Sequence, residues 1–139
     1  MQTLDLVRDS LGRVHELIPA ILDGLSGDDL LWRPDPEANS LGWLIWHLTR
    51  IEDDHLAQLS GVEQAWTADG WYQRFGLPYL KHAHGFRMTP VEVGAFNVTD
   101  AHLLAGYSAA TWGQTQAVLA SLAEDRLDEV IDTRYTPPV

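Results

Sequence analysis

The residues best placed to do chemistry lie between Trp43 and Gln58. On a helix turning 100° per residue, His47, Asp54 and Gln58 fall along one flank, spaced seven and four apart. That line sets an imidazole and a carboxylate on the same side, two turns apart. Imidazole is a good ligand for zinc, nickel or iron, and Asp54 is placed to ligate or to orient a ligand. The sharper zinc signature, two histidines at i and i+4 on one face, is absent. His55 falls in the apolar seam and reads as a core-edge histidine bonded to a carbonyl or carboxylate. Glu52, Asp53 and Asp54 form a consecutive charge run, which ordinarily marks a solvated face. Trp43 and Trp46 are first of all packing area, and could line an apolar pocket with the segment that follows. His82 and His84 read as surface residues of a glycine-flanked loop, and His15 and His102 as isolated structural ones. With no cysteine, no Gly-x-Ser-x-Gly elbow and no glycine-rich phosphate loop, a metal-activated water or thiol is the most economical chemistry.

Three long helices must carry these groups. The first spans about 3–25, with Leu4, Val7, Leu11, Val14, Ile18, Ile21 and Leu25 spaced as a bundle seam. Pro19 removes one backbone bond and predicts a kink, and Gly24, Ser26 and Gly27 predict the stop. The second spans about 40–60, capped by Asn39 or Ser40, with a seam of Leu41, Leu44, Leu48, Ile51, His55 and Leu59, closed by Gly61. From about 62 to 98 the period fails, while Trp66, Trp71, Tyr72, Phe75, Tyr79 and Phe86 alternate with glycines and prolines. Such a concentration of aromatics predicts an ordered crossover packed on the bundle, and long connections of this kind are usually functional. Thr89-Pro90-Val91-Glu92 is a capping box and predicts a short helix. The third long helix spans about 100–123, seamed by Leu104, Tyr107, Thr111, Gln114, Val118 and Leu122, and a tail of 124–139 follows.

The whole fits one domain, 1–139, with 45% hydrophobic and 21% charged residues. Twenty acidic against nine basic side chains give a net charge of -11, which repels phosphate backbones and anionic lipid, so neither nucleic acid nor membrane is an expected partner. The absence of a signal sequence and of a long apolar run predicts a cytoplasmic protein. Asn97-Val98-Thr99 matches a glycosylation acceptor by chance on that reading.

Asn39-Ser40-Leu41-Gly42-Trp43-Leu44-Ile45-Trp46-His47-Leu48, followed by Ile51-Glu52-Asp53-Asp54-His55, resembles the second helix of the DinB-like superfamily. The nearest branch is the one grouped with mycothiol-dependent enzymes. Gly70-Trp71, Arg74-Phe75-Gly76-Leu77-Pro78, Thr89-Pro90-Val91-Glu92 and Arg134-Tyr135-Thr136-Pro137-Pro138-Val139 are similar to it too. The resemblance implies an all-α, up-down-up-down four-helix bundle with a long link between helices two and three, and frequent homodimers. It also implies a divalent metal, often zinc or nickel, held by three histidines. One of these corresponds to His47, and the other two sit one turn apart on helix four. Relatives use low-molecular-weight thiols such as mycothiol or bacillithiol as transferases or isomerases on small-molecule substrates.

Only His47 of that triad has a counterpart in the sequence, and the fourth helix is expected to be missing from this chain. Asp54, Gln58, Gln114 or groups of a partner would then have to complete a site, with His55 and Trp43 bordering it. The alternative is a non-catalytic helical module whose open groove is completed by dimerisation or a partner helix.

Overall fold

The structure, a computed structural model, describes residues 1–25 and 27–139. Three long helices carry it: α1 (Thr3–Leu22), α3 (Leu41–Ser60) and α7 (Ala101–Ser121). Short helices fill the connections: α2 (Gly27–Leu31), α4 (Ala65–Ala68), α5 (Trp71–Phe75) and α6 (Pro90–Gly94). Among the described residues there is no strand. The helix starts follow local chemistry. Ser40 Oγ accepts from Trp43 N at 3.2 Å, Asp100 accepts from His102 N at 2.9 Å, and Thr89 and Glu92 complete their capping box. α1 runs through Pro19 and stops at Leu22, three residues short of the expected end. Of the predicted stop signals, Gly27 opens α2, and Ser26 lies outside the described residues.

The directions of the helices depart from strict alternation. α1 lies antiparallel to α7, since Leu4 N donates to Glu124 at 2.8 Å at one end while His15 meets Ser108 further along. α3 and α7 run parallel. Their first turns both approach α2, where Gly42 packs on Leu30 and Gly27 on Thr99. Their last turns together line one cavity with Leu59, Ser60, Ser121 and Leu122. The expected up-down-up-down order is therefore wrong for these helices. The connection from Gly61 to Asp100 is long enough to climb back along the bundle, so the chain re-enters α7 in the direction in which it left α3.

α7 packs along both α1 and α3, whereas α1 and α3 have no comparable backbone approach to one another. The three helices thus occupy three corners of a square, with α1 and α3 on a diagonal. Burial follows from this. On α7, Leu104, Tyr107, Thr111 and Val118 of the expected seam are buried. On α1, Leu4 and Ile18 are buried, but Val7, Val14 and Ile21 are exposed. On α3, the face towards the crossover and α7 is the buried one, carrying Trp43, Ile45, Trp46, Thr49, Arg50, Asp53 and Ala57. The expected seam of Leu41, Leu44, Leu48, Ile51, His55 and Leu59 is half-buried or exposed, with Leu41 and Leu48 packed against the edge of the core. Its apolar spacing does not make it the core face, because the tryptophans and the buried charges of α3 occupy the core instead.

The crossover packs its aromatics on the bundle, Phe86 excepted. Trp66 contacts Trp46, Tyr72, Phe75 and Tyr107, with ring centroids 5.0 to 6.4 Å apart. Leu30, Trp46, Trp66 and Tyr107 are the largest apolar side chains that are fully buried, and they join α2, α3, α4 and α7 in one core.

Candidate functional site

His47 is half-buried on the flank of α3 that meets the crossover. Its Nδ1 lies 2.5 Å from the His84 carbonyl oxygen. A carbonyl only accepts, so Nδ1 is the donor. The ring also stacks on Trp43 at 4.6 Å between centroids, 20° from parallel, and Trp43 Nε1 donates to Met88 Sδ at 3.4 Å. The approach of the loop requires Gly85. A Cβ there would stand 2.5 Å from His47 Nδ1 and 2.9 Å from Trp43, and the residue has φ +96.

The same loop is pinned twice more. Arg50, wholly buried, donates from Nε to the Ala83 carbonyl at 3.0 Å, and Trp66 Nε1 donates to the Lys81 carbonyl at 2.8 Å. Arg50 is compensated by Asp53 at 3.7 Å, and it donates to Gln64 at 2.7 Å. Asp53 accepts from the backbone N–H groups of Ala65 and Trp66 at 2.9 and 2.8 Å and from the Tyr107 hydroxyl at 2.7 Å. Burial, with Asp53 adding to it, pushes the Tyr107 hydroxyl far above its ordinary range. Burial also lowers the His84 imidazole, against the opposing charge of Asp54.

The remaining candidates are spread out. Asp54 is half-buried and accepts from Gln64 Nε2 at 2.7 Å, which ties it to the start of the crossover. His55 is exposed, with Nδ1 2.7 Å from the Ile51 carbonyl. It thus has the carbonyl partner its sequence position suggested, without the core-edge burial. Gln58 donates to Asp132 at 3.3 Å. His55 and Gln58 line a cavity of about 390 Å³ with Leu59, Ile131, Tyr135 and Val139, separate from the His47 contacts. Gln114 donates to the Glu63 carbonyl at 3.1 Å, remote from His47 in its contacts. The structure therefore brings His47 together with Trp43 and His84, and leaves His55, Gln58 and Gln114 elsewhere.

Sequence reasoning missed two groupings. Glu52 and Asp53 are buried rather than solvated, because each has a dedicated set of donors. Glu52 accepts from Thr115 at 2.5 Å and faces His15 Nε2 at 2.9 Å, while His15 Nδ1 meets Ser108 at 2.9 Å. This polar layer crosses the centre of the bundle. The second grouping is the loop of His84 and Gly85 on His47, signalled in the sequence only by the alternating histidines and a glycine.

Among the described residues, no group of three or more His, Asp or Glu is placed to hold a metal ion. His47 is an imidazole of the right chemistry for one ligand, and the described side chains do not make up a complete set around it. Nor is any helix among them long and apolar enough to cross a membrane.

The fold has a close counterpart. It superposes on a conserved protein from Enterococcus faecalis, known from a crystal structure, with a TM-score of 0.90 and 29% identity over 100% of this chain and 82% of that one. No curated protein matches. A family model described as the DinB superfamily matches residues 10–139. With nearly its whole length matched and the same helical architecture as its structural neighbour, the chain belongs to the DinB superfamily.

Proposed function

We propose that this chain is a DinB-type bundle in which His47 supplies one ligand to a divalent cation, zinc or nickel. A further helix packed in the open corner between α1 and α3 supplies the others. The reaction class is transfer or isomerisation dependent on a low-molecular-weight thiol such as mycothiol. When bound, such a metal would lower the pKa of a coordinated thiol. The supporting observation is the His84 carbonyl on His47 Nδ1, which holds a proton on that nitrogen and leaves Nε2 as the nitrogen for a metal, the usual device for orienting a metal-binding imidazole. Zinc and nickel titrations read by tryptophan fluorescence and by metal analysis test this. His47→Ala should weaken binding at least about tenfold. Equal metal uptake by the two proteins would sink the reading.

A second reading rests on the exposure of Val7, Val14, Ile21 and Leu44 along the open corner. Here the domain is a helical module that a second copy completes, without chemistry of its own. Light scattering that found a stable monomer at micromolar concentration would exclude it.

A further inference from the structure

We propose that the crossover loop bearing Lys81, Phe86 and Arg87 is a binding surface for a small anionic ligand with an apolar body, of the aromatic carboxylate class. The first observation is charge segregation. The protein carries -11 overall, yet no Asp or Glu occurs between Asp69 and Glu92, the stretch that holds Arg74, Lys81 and Arg87. Outside that stretch five of the six basic side chains are matched to a carboxylate, Arg8 to Asp5, Arg13 to Asp9, Arg50 to Asp53, Arg126 to Glu129 and Arg134 to Asp132, while Arg33 donates to the Pro36, Ala38 and Pro90 carbonyls. Lys81 and Arg87 are exposed, and neither has a carboxylate at ion-pair distance among the described residues.

The second observation is apolar. Phe86 is 66% exposed, with the Arg87 guanidinium 5.2 Å from its ring, and Leu80, next to Lys81 in the same loop, is 86% exposed. An aromatic ring with a carboxylate matches both features: its ring against Phe86 and its charge on Arg87, with Lys81 adding to the positive field of the loop. The third is preorganisation. The Lys81, Ala83 and His84 carbonyls are held by Trp66, Arg50 and His47, so the loop backbone is fixed at these points and binding need not order it.

A small ligand feels the local field, because charges beyond about 10 Å are screened at 0.1 M salt. An extended polyanion or an anionic membrane would also meet the acidic remainder of the surface, which disfavours both. The proposal does not rest on a metal at His47, and the test is run with a chelator present, so the two readings fail separately.

Amide chemical shifts are followed while benzoate, or its neutral counterpart benzamide, is added to the chelated protein. Benzoate should shift residues 80–88 and bind at least about fivefold tighter than benzamide. The double variant Lys81→Gln/Arg87→Asn removes both charges, and asparagine tolerates the φ of +61 at position 87. It should weaken benzoate roughly tenfold and leave benzamide unchanged, whereas Arg126→Gln should alter neither. Equal responses to the two probes, no response in 80–88, or an undiminished benzoate affinity in the double variant would overturn the proposal. So would binding to phosphatidylglycerol vesicles without a benzoate response, which would assign the loop to a lipid surface.

Discussion

Replacing Gly85 by alanine separates two contributions that the structure places on one residue. The first is backbone strain, because Gly85 has φ +96, where an L side chain costs roughly 1–2 kcal/mol. The second is collision. The new methyl would stand 2.5 Å from His47 Nδ1, 2.9 Å from Trp43 Cζ2 and 3.1 Å from His47 Cγ. Relieving that overlap means moving the loop or the imidazole, which breaks the bond between His47 and the His84 carbonyl. Its loss costs about 1 kcal/mol, and residual overpacking about 1 more. Gly61→Ala is the matched control: its φ is +71, and nothing lies within 4 Å of the added methyl. Urea unfolding should therefore show Gly85→Ala destabilised by about 3–4 kcal/mol and Gly61→Ala by about 1–2. Nitrogen chemical shifts of the His47 ring give an independent readout. They should report a fixed Nδ1–H tautomer in the parent and in Gly61→Ala, and exchange between tautomers in Gly85→Ala. Equal destabilisation of the two variants, with the His47 tautomer unchanged in both, would show that the loop does not lie on the imidazole.

Asp53→Ala leaves Arg50 buried without its carboxylate and three donors without an acceptor, so it should cost about 3–5 kcal/mol in urea unfolding. A loss under 1 kcal/mol would show that the charge run is solvated after all. Tyr79 donates to the Glu92 carbonyl at 2.6 Å, and burial, then the Glu92 charge, raises its pKa from 10.0 to about 12. A raised acid pKa means that the folded state holds its proton longer. The contribution is complete below pH 10 and is lost as pH rises towards 12. Ultraviolet titration of Tyr79→Phe should accordingly lack a late-ionising phenol that the parent shows.

How much of this was legible in the sequence depended on the range of the interactions involved. Helix starts were, because Ser40, Thr89, Glu92 and Asp100 act on amides within three residues of themselves. The packing of the crossover's aromatics on the bundle was also legible, since side chains such as Trp66 and Phe75 have to be buried somewhere. The buried face of α3 was not. Leu44 and Ile51 have the apolar spacing of a seam, but Arg50, Glu52 and Asp53 are buried instead because donors and acceptors more than ten residues away satisfy them. Nothing local distinguishes such a carboxylate from a solvated one. The same applies to the site. His47 stood out by its place on a helix flank, while the partner that orients it is a backbone carbonyl, which carries no residue-type signal at all. Helix direction depends on the path of the crossover, which hydrophobic periodicity does not encode.

The parallel pairing of α3 with α7 bears on the order in which the molecule can form. Of the two principal helix interfaces, α1 with α7 joins helices that are not consecutive, and α3 with α7 joins helices separated by the whole crossover. α1 and α3 sit on a diagonal, and each finds its main partner in α7, the last of the three to be made. Closing either interface means closing a long loop, and such non-local contacts are slow to form. On a growing chain, α1 and α3 would emerge with their apolar faces open and little mutual surface beyond the His15–Glu52 contact to hide them. α7 then acts as a late keystone: until it arrives there is little cooperative tertiary structure, and its docking buries both faces at once. A nascent chain arrested before residue 101 should thus be bound by chaperones and cut readily by proteases, and one that includes α7 should resist both.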